Sequence, residues 1–181
     1  VASDLIAQAE HDLYAQSILI TDNIKLIKLV DLSLKKQLNN LPKKKIAFSS
    51  LKQFGLAILV DNKKKITEII NKIAPEHLEL CTKFNNKILK DVKNAGSIFI
   101  GKFSPEAMGD YLAGPNHVLP TSGSARFSSG LSVNDFLKRH SLIKITKTGI
   151  ERLGSSVINL AKHENLDGHA YSVKIRLKKE N

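Results

Sequence analysis

Compact apolar runs separated by amphipathic stretches constrain this chain more than any other feature. Residues 16–21 hold Ile18, Leu19 and Ile20 side by side, a pattern that fits a strand buried on both faces better than one face of a helix. Residues 55–60 repeat the pattern. Between them, residues 23–38 place Ile24, Ile27, Leu34 and Leu38 among lysines, as an amphipathic helix should, and Asn39-Asn40-Leu41-Pro42 breaks it. Asp61 or Asn62 then caps a helix running through Ile66, Ile69, Ile70 and Ile73. Residues 77–81 and 95–100 read as two further strands. Strands alternating with helices predict parallel pairing through helical crossovers.

The flanking segments complete an α/β reading, with a mainly parallel, Rossmann-like sheet between helices. Residues 2–11 form a short helix with Leu5, Ile6 and Ala9 on one side and Ser3 as its cap. Ser104-Pro105-Glu106 reads as a helix start, a capping serine followed by proline at the first helical position. Residues 114–130 are punctuated by glycine, serine and proline and are too long for a simple connector; such loops often carry function. A helix near 133–138, a strand near 141–146 and a helix over 149–164 are expected next, and residues 168–179 fit strand or helix equally. These elements divide into an α/β domain over 1–140 and a small helical C-terminal tail domain over 141–181.

Composition narrows the function classes. Hydrophobic residues make up 42% of the chain and charged residues 25%, which excludes general disorder. No apolar stretch approaches the roughly 18 residues of a membrane span, no secretory leader is visible, and one cysteine excludes an intrachain disulfide framework. A cytoplasmic protein is expected. The formal net charge is +11, concentrated in runs such as Lys35-Lys36, Lys43-Lys44-Lys45 and Lys63-Lys64-Lys65. Runs of this kind suit either a solvated helix face or a nucleic-acid footprint. Arg126, Arg139, Arg152 and Arg176 are the only arginines, however, and phosphate and base readout draw on the guanidinium fork. No nucleic-acid motif accompanies the lysines.

Several polar constellations remain. Gln8 and His11 are three apart on the first helix and project from one face of it. Glu76 and His77 set an acid beside a base at the mouth of a strand, where adjacent side chains would point to opposite faces unless the Pro75 turn intervenes. Asn116, His117 and Asp135 lie in or just after the long loop, and Glu164 and His169 lie near the C-terminus. Histidines and carboxylates in this number suit zinc chemistry without proving it. Cys81 offers a thiol nucleophile, but a lone cysteine in an apolar strand is more often a small core residue, which is the expectation here.

The long loop reads Ala113-Gly114-Pro115-Asn116-His117-Val118-Leu119-Pro120-Thr121, followed by Ser128-Ser129-Gly130-Leu131 and Asp135-Phe136. With Gln8-Ala9-Glu10-His11, Pro75-Glu76-His77-Leu78, Gly109-Asp110-Tyr111 and the Glu164 and His169 pair, it resembles the histidinol dehydrogenase family from one end of the chain to the other. The resemblance covers only the C-terminal part of such an enzyme, which implies that the α/β domain over 1–140 is incomplete by itself.

That resemblance implies oxidation of histidinol to histidine through the aldehyde, which takes two hydride transfers to NAD and one water. Gln8, His11, Asp135 and His169 match the family's zinc ligands, and with them the substrate-binding set of Gln8, His11, His77, Asp135, Glu164 and His169. His77 matches the base that takes the alcohol proton, and Glu76 the carboxylate that activates water for the aldehyde. His117 is implied in a supporting role. The family is a homodimer whose tail reaches the partner's site, so Glu164 and His169 are expected to serve the other chain. The family's NAD contacts lie upstream of this segment, and Gly96, Gly101 and Gly109 do not make a G-x-G-x-x-G loop. The chain alone is therefore expected to be inactive. The remaining alternatives are a truncated relative that binds zinc and substrate without turnover, and a basic nucleic-acid-binding domain.

Overall fold

The computed structural model describes residues 1–42 and 44–177. Helix α1 (Ala2–Ala9) leads to strand β1 (Ile18–Thr21), helices α2 (Ile24–Leu38) and α3 (Lys44–Phe54), and strand β2 (Leu56–Leu59). Helix α4 (Lys63–Ile73) then connects to strand β3 (His77–Leu80), helix α5 (Asn85–Leu89), strand β4 (Ser97–Ile100) and helix α6 (Glu106–Tyr111). Helices α7 (Lys147–His163) and α8 (Asp167–Leu177) close the order. The chain divides into two compact units, Val1–Phe136 and a second that begins at Leu137.

In the first unit both strand pairings are parallel, as the alternation predicts. They form two separate pairs instead of one sheet: β1 with β2, Ile18 opposite Leu56, and β3 with β4, His77 opposite Ser97. Helices α2 and α3 make the first crossover and α5 the second. The core gathers on the second pair, where Ile70 of α4, Leu78 and Leu80 of β3 and Ile88 of α5 pack together with Ile20, Ile66 and Ile98 around them.

Local chemistry sets the helix ends. Asn23 caps α2 by accepting the Lys25 and Leu26 N–H groups, and Asn62 caps α4 by accepting the N–H of Lys65. Asp61 instead pairs with the Lys65 ammonium at 2.8 Å. At the other end of α4, Ala74 turns left-handed at φ 53° and returns its N–H to Ile70. The Arg126 guanidinium donates to the Gly123 carbonyl at 2.7 Å and to the Lys72 carbonyl, which ties the long loop to the end of α4.

Several expectations change. Ser3 does not cap α1: its hydroxyl donates to Gln37, and Val1 stands at the N-cap. Ser104 does not cap α6, because its hydroxyl donates to the Ile100 carbonyl and Pro105 occupies the N-cap. The helix expected over 133–138 is a short 3₁₀ turn, Val133–Phe136. No strand forms over 141–146, where Leu142 and Ile143 are 96% and 77% exposed; a strand needs a paired edge, which an apolar pattern alone does not supply. The ambiguous tail is helical as far as Leu177. Lys43 and tail residues 178–179 lie outside the described residues. Helix α3 had no reading in sequence, and α5 is too short to signal itself against the cost of nucleation.

The second unit is a helical hairpin. Asn165, at φ 60°, turns the chain between α7 and α8. Gly154 meets Leu177 and Val173 so closely that an added Cβ would stand 2.8 Å from a Leu177 methyl.

Candidate functional site

Strand β3 divides its side chains between two faces. Leu78 and Leu80 point into the core, and alternation puts His77 and Glu79 on the opposite face. Helix α6 lies close to β4 beside that face. Gly109 makes the approach possible, since a Cβ there would stand 2.6 Å from the Phe99 ring. The Glu79 carboxylate accepts the backbone N–H of Glu106 at 3.0 Å, which fixes the first turn of α6 to the strand.

Glu106 and Asp110 are one turn apart on α6 and share a side of it. The His77 ring sits between them, with Nδ1 3.6 Å from Glu106 Oε1 and Nε2 3.8 Å from Asp110 Oδ1. His11 reaches the same carboxylate from another direction, its Nε2 3.8 Å from Glu106 Oε1. It does so from just beyond α1, which ends at Ala9 with Glu10 as C-cap, so Gln8 and His11 do not share a continuous helical face. The Ser17 and Ser50 hydroxyls hold the following segment in place by donating to the carbonyls of Leu5 and Ala15.

Glu76 lies one residue before β3 and so escapes strand alternation. Its carbonyl accepts from the Ser97 N–H at 2.8 Å, and a Cβ on Gly96 would stand 2.6 Å from that oxygen. Gln8, His11, Glu76, His77, Glu106, Asp110 and His117 all line one cavity of about 1230 Å³ in the first unit.

The electrostatics follow from burial and crowding. Glu106 is 5% exposed, and burial pushes its carboxyl up to about 7, helped by the charges of Asp110, Glu79, Glu76 and Asp4. Burial lowers the pKa of His77 against the opposing pull of Glu76 and Asp110. Glu79 is raised by burial and then by Asp4. The cluster thus holds a neutral imidazole beside a carboxyl that keeps its proton to near neutrality. Burial and Glu79 also raise the Cys81 thiol, the reverse of what an activated nucleophile needs.

Asp135 does not join this group. It lies on the exposed turn after the loop, and its Oδ2 accepts from the Ser132 N–H at 2.7 Å and the Ser132 hydroxyl at 3.2 Å. The carboxylates beside His11 are those of Glu106 and Asp110, whose ligand atoms with that of His11 all lie within 4.8 Å of one another. Sequence reasoning quoted both acids, one as a helix start and one inside a motif, without giving either a role. Their spacing on a short helix was the available signal. Glu164 and His169 belong to the second unit, where Glu164 is the C-cap of α7 and His169 lies in the first turn of α8, both exposed.

The sequence profile described as histidinol dehydrogenase matches residues 1–177. The chain belongs to the histidinol dehydrogenase family. It is 53% identical over 180 residues to the histidinol dehydrogenase of Pelagibacter ubique, covering 99% of this chain and 42% of that protein. It is 51% identical over 176 residues to that of Caldanaerobacter subterraneus subsp. tengcongensis, covering 97% and 41%. A crystal structure of histidinol dehydrogenase from Elizabethkingia anophelis matches with a TM-score of 0.94 and 39% identity, covering 97% of this chain and 40% of that one. The chain therefore spans about two fifths of the length of the histidinol dehydrogenases it matches. Among its described residues no helix is long and apolar enough to cross a membrane.

Proposed function

We propose that this chain is the metal-binding and proton-transferring portion of a zinc-dependent histidinol dehydrogenase that oxidises histidinol to histidine. The observation that carries the reading is the convergence of His11, His77, Glu106 and Asp110 from three separate segments onto one cavity.

The donor set fits a divalent metal. One imidazole and two carboxylates within 4.8 Å of one another suit zinc, which takes nitrogen and oxygen ligands and keeps open positions in catalytic sites. We assign His11 and Asp110 as ligands, with Gln8 nearby on the cavity wall; Asp110 takes the place that the sequence resemblance gave to Asp135. A bound zinc supplies an anchor for the nitrogen donors of histidinol. His77, kept neutral by burial, accepts the alcohol proton. Glu76, on the same wall, activates the water that adds to the aldehyde. Glu164 and His169, exposed on the second unit, complete the site of a partner subunit in this reading.

NAD does not fit what this chain offers. Gly96 and Gly109 serve close approaches to Glu76 and Phe99, and Gly101 turns the chain after β4 at φ 88°; none opens a dinucleotide-binding turn. No step through the nucleotide is assigned to these residues, and the chain by itself is not expected to turn over.

Calorimetric titration of histidinol into the zinc-loaded chain, with a metal-free control, tests the reading. Zinc-dependent binding is the expected result. Equal binding with and without metal, or none in either, would overturn it.

A further inference from the structure

Glu106 has no role in the sequence reading, yet it is a buried carboxyl facing two imidazoles. Its side chain is 6% exposed, and one oxygen, Oε1, faces both rings. Both ring nitrogens of His77 are buried and lack a hydrogen-bond partner. Buried polar groups are nearly always paired, so this ring stands ready for a bond that it does not yet make. The acidic oxygens facing it are Glu106 Oε1 at 3.6 Å on the Nδ1 side and Asp110 Oδ1 at 3.8 Å on the Nε2 side. Catalytic hydrogen bonds are often long before the ligands arrive, and a closure of well under 1 Å brings either into range.

The two carboxylates are not equivalent. Asp110 is 21% exposed at its side chain and Glu106 is 6% exposed. Glu106 is also held by its own backbone, whose N–H donates to Glu79 on β3, the strand that carries His77. Strand and helix are thereby locked together at this pair, and Gly109, lacking a Cβ, lets α6 come close to the Phe99 ring. The Phe99 ring, 6.0 Å from that of His77, walls the imidazole on another side. A neutral imidazole has one donor nitrogen and one acceptor, and whichever nitrogen bonds to a fixed neighbour decides which is left basic.

We infer that Glu106 is a positioning residue that accepts the Nδ1 proton of His77, leaving Nε2, on the Asp110 side, as the basic nitrogen. The inference rests on the reading of His77 as the base and deepens it. It gives the two acids of α6 separate tasks: Asp110 faces the metal and substrate, and Glu106 fixes the tautomer of the base. A supporting carboxylate behind a functional histidine is a recurrent way of setting ring orientation and basicity.

The test is the tautomeric state of His77 in the metal-free chain, read from two-bond proton–nitrogen NMR spectra of histidine-labelled protein at about pH 8, above the ordinary imidazole range. Wild type is expected to carry the proton on Nδ1. Glu106→Gln keeps an acceptor oxygen and should keep that form. Glu106→Leu removes the acceptor at similar volume and should move the proton to Nε2, with the methyl signals of Leu78 and Leu80 confirming an intact core. A wild-type ring protonated at Nε2 would overturn the inference whether or not the leucine variant folds, and so would an unchanged tautomer in a folded Glu106→Leu chain.

A zinc titration separates this role from direct ligation. Asp110→Asn should weaken zinc by more than about tenfold, and Glu106→Leu should weaken it less. An equal loss would make Glu106 a ligand and sink the positioning role. The tautomer measurement needs no metal, so a chain that binds no zinc would count against the proposed function while leaving the tautomer result to decide this inference.

Discussion

The two strand pairs are built alike and used differently. Each has four parallel rungs, and β2, reading Leu56-Ala57-Ile58-Leu59, is more apolar than β3, reading His77-Leu78-Glu79-Leu80. Yet Leu56 and Leu59 are 53% and 51% exposed, while Leu78 and Leu80 are 9% and 3% exposed. The difference lies in the neighbours. Helices α4 and α5 bring Ile70 and Ile88 onto the apolar face of β3, and α6 brings Glu106 and Asp110 to its polar face. Alternation in β3 serves two environments at once, a core on one side and chemistry on the other. Strand β2 is apolar on both sides without being buried on both.

The largest test of this contrast is Leu80→Ala. Truncating a side chain in a packed core costs about 2–5 kcal/mol, so the denaturant midpoint should fall markedly, while an unchanged midpoint would mean that the β3 face is not the true core. Next comes the pH dependence of stability. Folded Glu106 keeps its proton to about 7, against an ordinary value of 4.5, so folding takes up a proton in that window. The stability that goes with it is present in full below about 4.5 and is lost as pH rises through about 7, amounting to as much as roughly 3 kcal/mol. Glu106→Gln should flatten that slope in denaturation curves recorded across the window; a slope that survives would place its origin in another group.

A third comparison sets one acid against another. Asp110→Asn should weaken zinc by more than about tenfold, the lower end of what losing even an outer-shell partner of a ligand costs, and Asp135→Asn should leave affinity within error, because Asp135 is engaged by Ser132. The reverse order would return Asp135 to the ligand set. The smallest expected effect is Leu59→Ser on the exposed strand, within about 0.5 kcal/mol of wild type. A loss comparable to that of Leu80→Ala would erase the distinction between the two pairs.

Much of this was legible in the residues. The apolar runs marked β1, β2 and β4, because short continuous apolar segments suit parallel strands; alternation marked β3, and the asparagine at 62 announced its helix because a side-chain oxygen there satisfies a free N–H. The loop motif carried the family, together with Gln8-Ala9-Glu10-His11, Pro75-Glu76-His77-Leu78, Gly109-Asp110-Tyr111 and the Glu164 and His169 pair. The expected strand over 141–146 failed because period and propensity do not supply a pairing edge. Ser104 failed as a cap because the Ile100 carbonyl took its hydroxyl.

The site divides along the same line. Gln8, His11, Glu76, His77 and His117 were marked by residue type and motif, and all of them reach one cavity. Which carboxylates stand beside His11 was tertiary. It depended on whether a 3₁₀ turn closes on its own serine and on how near α6 comes to β4 over Gly109. The sequence by itself determined the alternation of strands and helices, the polar alphabet of the site and the family, since these rest on periodicity and on local motifs. Only the tertiary structure decided which carboxylates face His77 and how strongly they are perturbed, because burial and charge proximity arise when segments far apart in the chain are packed together.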